Sequence, residues 1–151
     1  MSKVPFEIRP AVSSDAEELL RLRHALWPDD MDAAQEIAAY LASPPENAIV
    51  LVAAKLGAGL AGFIEMGLRG YAEGCGPGPI AYIEGWYVDA DLRGLGVGLA
   101  LVRAGEDWAK ARGLSEIASD ALITNEGSIA AHRALGFTEV ERIVCFWRSL
   151  S

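Results

Sequence analysis

The chain has 151 residues, of which 52% are apolar and 23% are charged, and this size and composition predict one compact domain over residues 1–151. Its 13 basic and 21 acidic side chains give a net charge of −8, which disfavours a nucleic-acid-binding protein and favours a small polycation as a partner. No apolar run approaches the roughly 20 residues that span a bilayer, and residues 1–10 lack a signal-peptide pattern, so we expect a cytoplasmic protein without a membrane partner.

The first third of the chain predicts one strand followed by two helices. Apolar and polar residues alternate over Phe6–Arg9, as in a strand, and Ser14–Glu17 has the pattern of a capping box for a helix that ends before Pro28. A second helix is expected from Asp32 to the proline pair at 44–45. The opening order is therefore β-α-α.

The rest of the chain predicts a three-stranded meander and then alternating helices and strands. The meander strands are Ala48–Ala54, Leu60–Leu68 and Ile80–Val88. The later elements are a helix from Val97 to a C-cap at Gly113, a strand over Glu116–Leu122, a helix over Asn125–Leu135 and a β-rich tail over Phe137–Trp147. The order β-α-α-β-β-β-α-β-α-β predicts an α/β fold with a mixed sheet flanked by helices.

A glycine-rich loop joins the strand that ends at Val88 to the helix that begins at Val97. Gly94, Gly96 and Gly98 leave the backbone bare, so that it can approach a ligand, and Arg93 adds a charged donor. Free N–H groups at a helix N-terminus, with the helix dipole, favour a phosphate there. The loop therefore predicts a phosphate or diphosphate site.

Two other phosphate-binding motifs fit this loop less well. A dinucleotide-binding fingerprint normally follows the first strand of its fold, whereas this loop follows the fourth, and only Asp120 could serve as the downstream acidic residue. A Walker A loop requires Gly-Lys-Ser/Thr, which is absent from the loop.

The loop resembles a known family signature. Arg93-Gly94-Leu95-Gly96-Val97-Gly98 is similar to the Arg/Gln-x-x-Gly-x-Gly/Ala motif of the GNAT acetyltransferases, and Ala134–Phe137 resembles the Leu-Gly-Phe segment that closes their last helix. The resemblance extends to the order of elements, and it implies a GNAT fold with acetyl-CoA as co-substrate. It also implies that acetyl-CoA is held by Trp86, Tyr87, Val88, Arg93, Gly94, Leu95, Gly96, Val97, Gly98 and Asn125.

A narrower resemblance points to one branch of that family. Residues 22–28, 83–88, 106–110, 118–121 and 132–137 are similar to segments of the aminoglycoside 6'-N-acetyltransferases of type I. This resemblance implies transfer of an acetyl group to the 6'-amine of an aminoglycoside, and hence antibiotic resistance. The residues it implies for contact with the aminoglycoside are Trp27, Tyr71, Glu84, Asp120 and Glu141.

The chemistry of these residue types suits a polycationic substrate. A carboxylate near an ammonium is worth on the order of 1 kcal/mol in water and up to about 4 kcal/mol at an effective dielectric of 20, before desolvation is subtracted. Because only the free amine can attack, Glu84 or Asp120, directly or through a water, is the candidate base. The Val88 N–H is the candidate donor to the oxyanion that develops on attack. His132 stands where many GNAT enzymes have a tyrosine acid, and the identity of the acid stays open.

We expect neither a metal site nor a covalent acetyl-enzyme. Cys75 and Cys145 have no metal-ligand or disulfide-framework spacing, and no base is expected beside Cys145. The acetyl group should therefore pass directly to the amine in a ternary complex.

Two other functions and the oligomeric state stay open at this point. A GNAT enzyme that acetylates a protein N-terminus, a lysine or another small amine would share the acetyl-CoA residues but not the acidic pocket. A module that binds acyl-CoA without catalysis would gain stability from CoA and turn over no amine. The apolar tail at Ile143–Trp147 suggests pairing or exchange between two copies in a homodimer.

Overall fold

The computed structural model describes residues 5–151. Residues 1–4, which belong to the opening run without a signal-peptide pattern, lie outside the described residues. Within the described part, none of the helices combines the length and the apolar composition needed to cross a bilayer. The elements are β1 (Phe6–Pro10), α1 (Ala16–Leu26), α2 (Ala33–Ala42), β2 (Ile49–Lys55), β3 (Leu60–Arg69), β4 (Ile80–Val88), α3 (Val97–Ala111), β5 (Ile117–Ser119) and α4 (Glu126–Ala134).

The five strands form one mixed sheet, as predicted. Their spatial order is β1-β2-β3-β4-β5; the first four are antiparallel neighbours, and β5 runs parallel to β4. The parallel pair requires a crossover, which α3 provides. The predicted order of elements holds from β1 through α4, and β5 is shorter than the expected Glu116–Leu122.

Helices cover both faces of the sheet, and each face has its own apolar core. Strand residues alternate between the faces, so Phe63 packs with Leu19 and Leu22 of α1, whereas Ile64 packs with Leu101 of α3. All five side chains are at most 2% exposed. The central strands β2 to β4 are therefore held from both sides, and their ends are fixed relative to the helices.

The start of α1 differs from the prediction. The capping box expected at Ser14–Glu17 is absent, and a 3-10 turn over Ser13–Asp15 leads into α1 without a capping hydrogen bond from the Asp15 side chain to the helix. The Asp15 carboxylate instead accepts hydrogen bonds from Arg9 at 2.7 and 3.0 Å and from the Val12 N–H at 2.8 Å. Asp15 therefore ties α1 back to β1.

The predicted β-rich tail does not form a strand. Beyond Gly136, which has φ of +92° and ends α4 as expected, residues 137–151 have no regular secondary structure. A strand needs a neighbour to pair with, and no strand of this chain pairs with the tail in the described residues. Phe146 and Trp147 are 92% and 88% exposed.

We expect Asp15→Asn to lower the free energy of unfolding by about 1–3 kcal/mol at neutral pH, because a buried carboxylate loses its charge-assisted hydrogen bonds. Asp15 is 6% exposed, and its hydrogen bonds with Arg9 hold the pKa of its carboxyl below the ordinary value. Since the pKa is lowered by folding, this stability is present above the unfolded pKa and is lost as the pH falls through the folded one.

Glu7→Gln is the matched control for this prediction, because Glu7 lies 3.9 Å from the same Arg9 with a side chain that is 63% exposed. Its effect should stay within about 0.5 kcal/mol. Urea unfolding at neutral and acidic pH measures both variants. A penalty for Asp15→Asn that equals the control, or that is undiminished at the acid end, would contradict the assignment.

Candidate active site

A gap opens between the two parallel strands. The pairing of β4 with β5 covers only Ala81 to Ile83 and ends at the pair Ile83 and Ser119. The Asp89 N–H bonds to the Ala61 carbonyl at 2.9 Å, on the side of β3. Since main-chain groups alternate in direction along a strand, the N–H and C=O of Val88 and of Trp86 point to the opposite side, into this gap. The strands thus part beside Trp86 and Val88, two of the residues expected to hold acetyl-CoA.

The glycine loop after β4 has the geometry that a phosphate group requires. Gly94 and Gly96 have φ of +79° and +90°, which favour glycine, and a Cβ at either position would have no atom within 4 Å. Gly96 is the N-cap of α3, so the free amides of the first helical turn open onto this space. The residues present therefore fit the diphosphate of acetyl-CoA.

Gly98 and Val97 contribute differently from Gly94 and Gly96. A Cβ atom at Gly98 would lie 3.2 Å from Cζ2 of Trp86, so this glycine makes room for the indole instead of exposing backbone. The Val97 side chain is fully buried in the core under α3, which leaves only its backbone for a ligand. Leu95 and Gly98 are both half-buried.

Two arginines fix the loop to the rest of the fold. Arg93 donates from Nε to the Val88 carbonyl at 2.9 Å, and its guanidinium lies 5.4 Å from the centre of the Tyr87 ring. Arg21 of α1 donates twice to the Asp89 carboxylate, at 3.0 Å each, and also bonds Glu18. The first part of the loop is therefore fixed at two points, Asp89 and Arg93. The amides of the loop lie at one end of the gap.

A cavity of about 150 Å³ lies at the gap, bounded by the ends of α1, β4 and β5 and by α4. Four of the predicted site residues line it. Trp27 and Asp120 are expected to contact the aminoglycoside, and Trp86 and Asn125 are expected to hold acetyl-CoA. The lining consists of Leu26, Trp27, Ile83, Gly85, Trp86, Ser119, Asp120, Ala121, Leu122, Asn125, Ser128 and His132.

Asp120 has a hydrogen-bond partner that the sequence did not reveal. The Tyr82 hydroxyl donates to Oδ2 of Asp120 at 2.6 Å. Burial of the ring, that hydrogen bond and the charge of Asp120 raise the pKa of Tyr82, so the hydroxyl keeps its proton. Tyr82 therefore orients the Asp120 carboxylate.

Glu84 lies outside this cavity and is paired with an arginine. One extra residue, Glu84, is inserted in β4 where Glu65 pairs with Gly85 and Met66 pairs with Ile83. The bulge places the Glu84 side chain beside Gly67, where it accepts hydrogen bonds from Arg69 at 2.7 and 3.0 Å. These bonds raise the pKa of Arg69, so its guanidinium stays charged.

Trp27 and Glu65 share the space above Gly85. A Cβ at Gly85 would lie 2.6 Å from Cη2 of Trp27 and 3.3 Å from Oε2 of Glu65. The Arg23 guanidinium lies 5.4 Å from the Trp27 ring, on the side of α1. Burial raises the pKa of Glu65, and Arg23 opposes that shift while Glu36 adds to it. Glu65 is an acidic residue within the otherwise apolar run of β3, and this interruption is the signal by which the sequence could have identified it.

His132 is held by hydrogen bonds on both ring nitrogens. Nδ1 lies 2.7 Å from the Ser128 carbonyl, which can only accept, and Nε2 lies 2.8 Å from the Ser119 hydroxyl. Because the Ser128 carbonyl can only accept, Nδ1 donates in this contact, whereas the Ser119 hydroxyl can either donate to Nε2 or accept from it. The ring also makes edge contacts with Trp86 and Phe137, at centroid distances of 5.2 and 5.3 Å. His132 thus joins β5, α4 and the Trp86 indole, whose own Nε1–H is buried without a partner among the described residues.

Asn125 lines the cavity, whereas Tyr71 and Glu141 lie apart from it. Asn125 is the N-cap of α4, and its side chain accepts from the Ser128 N–H at 3.0 Å. Tyr71 follows β3 and is 72% exposed, and Glu141 lies in the exposed tail. Among the described residues, no group of three or more His, Cys, Asp or Glu side chains could hold a metal ion.

Comparisons with known proteins agree on one family. The profile of the acetyltransferase (GNAT) family matches residues 14–137. An aminoglycoside N(6')-acetyltransferase type 1 from Klebsiella aerogenes is 43% identical over 146 residues, covering 95% of this chain and 96% of the relative.

Two solved structures have the same fold. The aminoglycoside antibiotic 6'-N-acetyltransferase AAC(6')-Ih from Acinetobacter baumannii superposes with a TM-score of 0.88 at 34% identity, covering 97% of this chain and all (100%) of the other. AAC(6')-Iy in complex with the bisubstrate analogue CoA-S-monomethyl-acetylneamine gives a TM-score of 0.87 at 28% identity, covering 96% of this chain and 99% of the other.

The contact between Gly85 and Trp27 gives a test of the site's construction. We expect Gly85→Ala to cost about 1–3 kcal/mol of unfolding free energy, because the new methyl group would overlap the indole. In a Trp27→Phe background, which lacks the overlapping ring atoms, the cost should be markedly smaller. Gly57→Ala is the control, since a Cβ there meets nothing within 4 Å. An equal cost for Gly85→Ala in both backgrounds, measured by chemical denaturation, would show that Trp27 does not pack there.

Proposed function

Because the chain belongs to the GNAT family of acetyltransferases, we propose that it transfers the acetyl group of acetyl-CoA to the 6'-amine of aminoglycoside antibiotics. The observation that carries this proposal is the gap between β4 and β5. On one side of it lie the open amides at Gly94 and Gly96, and on the other lies the Asp120 carboxylate. One opening thus offers a phosphate site and an ammonium site.

Residues around the gap are suited to bind acetyl-CoA, which supplies the acetyl group as a thioester. The amides of the glycine loop and the Arg93 guanidinium are suited to hold its diphosphate, since they offer donors and positive charge. The main-chain groups of Trp86 and the Val88 N–H, which face the gap, can pair with an amide-containing arm, as a missing strand would. The Val88 N–H is then available as a donor to a carbonyl oxygen in the gap.

The acceptor side is built for ammonium groups and sugar rings. Asp120 and Trp27 line the cavity, and Glu84 lies on the same face of the sheet as Tyr82. The hydrogen bond from Tyr82 engages Oδ2 of Asp120, and Oδ1 can accept from a substrate amine or from a water beside it. We assign Asp120 as the proton acceptor, with Glu84 as a second carboxylate for the substrate. Tyr71 and Glu141 are proposed as outer contacts.

Location and assembly complete the proposal. Acetyl-CoA is an intracellular metabolite, so we place this single-domain enzyme in the cytoplasm. Its net charge of −8 argues against nucleic acid or an anionic membrane surface as a partner. The tail exposes Ile143, Phe146 and Trp147 together with unpaired backbone, and a second copy can cover both in a homodimer.

The proposed function predicts thiol release from acetyl-CoA with tobramycin or kanamycin, and a product acetylated at the 6'-amine. Asp120→Asn should lower kcat for these substrates about a hundredfold or more, because the proton acceptor is lost. Stabilisation by CoA in thermal unfolding should persist, since the glycine loop is intact. Asp107→Asn, at an exposed position of α3, is the matched control and should behave as wild type.

Three outcomes would contradict the proposal. Turnover of peptides with none of a panel of aminoglycosides would favour an acetyltransferase for protein amines. Binding of CoA with no turnover of any amine would favour a binding module. Turnover at the wild-type rate by Asp120→Asn would show that Asp120 is not the proton acceptor, while the proposed acetyl transfer would still stand.

The homodimer predicts a separate result. We expect the full chain to have twice the monomer mass in light scattering coupled to gel filtration. Phe146→Asp combined with Trp147→Asp should shift it to the monomer, because burying two carboxylates in an apolar interface is costly. A monomer mass for the wild-type chain at micromolar concentration would contradict the assembly.

A further inference from the structure

Arg69 is a charged side chain of the acceptor side for which the proposed reaction has no use. It lies at the end of β3 and donates from Nε to Oε2 of Glu84 at 3.0 Å and from Nη2 to Oε1 at 2.7 Å. Its Cζ atom lies 3.5 Å from the centre of the Tyr82 ring. The guanidinium is therefore bound by a carboxylate and by an aromatic face at the same time.

This position coincides with the place that a substrate cation should take. Glu84 is a proposed carboxylate for the substrate, and Tyr82 carries the hydroxyl that bonds Asp120 at 2.6 Å. The Tyr82 ring is buried, at 3% exposed, with Arg69 against its face. Arg69 thus already makes the two kinds of contact, to a carboxylate and to an aromatic face, that a protonated amino sugar would make there.

The Arg69–Glu84 pair can be opened from the solvent side. The two side chains are 42% and 39% exposed, so water replaces part of each lost interaction. An exposed ion pair of this kind contributes little to stability, and both groups remain solvated when they separate. Arg69 can therefore leave Glu84 without unfolding its surroundings.

We propose that Arg69 is a resident cation of the acceptor site, and that an ammonium group of the substrate displaces it from Glu84. This inference rests on the proposed function, because it assumes an aminoglycoside at Glu84. Displacement exposes the Tyr82 face to a sugar ring and frees the Glu84 carboxylate. A substrate with several ammonium groups makes other contacts that offset the loss of the Arg69–Glu84 ion pair. A substrate with a single amine has no such additional contacts. Arg69 is thereby a specificity-determining residue that favours polycations.

The experiment compares tobramycin binding and turnover by Arg69→Gln and by the wild-type chain. Binding is measured by calorimetry in the presence of CoA, and KM and kcat are measured by thiol release. We expect the variant to bind tobramycin about two- to fivefold more tightly, the range set by an exposed ion pair. The gain should appear in KM for tobramycin and not in KM for acetyl-CoA.

Two matched variants separate competition from a general charge effect. Arg103→Gln removes the same charge from an exposed pair with Glu106 on α3 and should leave tobramycin binding unchanged. In a Glu84→Gln background, Arg69→Gln should no longer tighten binding, because the carboxylate for which the two cations compete is absent.

Weaker tobramycin binding by Arg69→Gln would overturn the proposal, since it would mean that Arg69 positions Glu84 for the substrate. Equal tightening by Arg103→Gln would also overturn it. A wild-type chain that binds but does not acetylate tobramycin refutes the proposed function, while the calorimetry still decides the role of Arg69. If neither the wild-type chain nor Arg69→Gln binds tobramycin, both proposals fail.

Discussion

The early end of the pairing between β4 and β5 is the constraint on which the site depends. Because β5 pairs with β4 only as far as Ser119, the main-chain groups of Trp86 and the Val88 N–H face a gap instead of a neighbouring strand, whereas the Val88 carbonyl accepts from Arg93. Unpaired main-chain groups inside a fold need other partners, which a ligand or water must supply. The gap also separates the glycine loop that follows β4 from the carboxylate that follows β5, so each strand carries one half of the site.

The two halves have opposite charge, which matches the two substrates. The N-terminus of α3 and Arg93 offer positive charge and amide donors to an anionic group, whereas Asp120 and Glu84 offer carboxylates to a cation. The net charge of −8 attracts a polycation to the whole molecule but repels a phosphate. Retention of the anionic co-substrate must therefore come from local donors, and for that reason the open geometry of Gly94 and Gly96 matters.

The sequence predicted those features that depend on local pattern. Alternation and glycine positions gave the order from β1 through α4 and the loop before α3, and family resemblance singled out Asp120 and Trp27. The contacts of Tyr82 and Arg69 could not be read from periodicity, because the bulge at Glu84 puts Tyr82 and Trp86 on opposite faces of the sheet despite their even spacing. The tail was wrongly predicted as strand because its apolar alternation says nothing about whether a partner strand is present.

A crystal structure of the chain with CoA and tobramycin would show whether both substrates lie in the gap between β4 and β5. We expect diphosphate oxygens within hydrogen-bond distance of the amides around Gly94 and Gly96, the pantetheine arm between β4 and β5, and the 6'-amine beside Asp120. A complex in which β5 pairs with β4 as far as Val88, or in which CoA lies away from the glycine loop, would contradict this expectation.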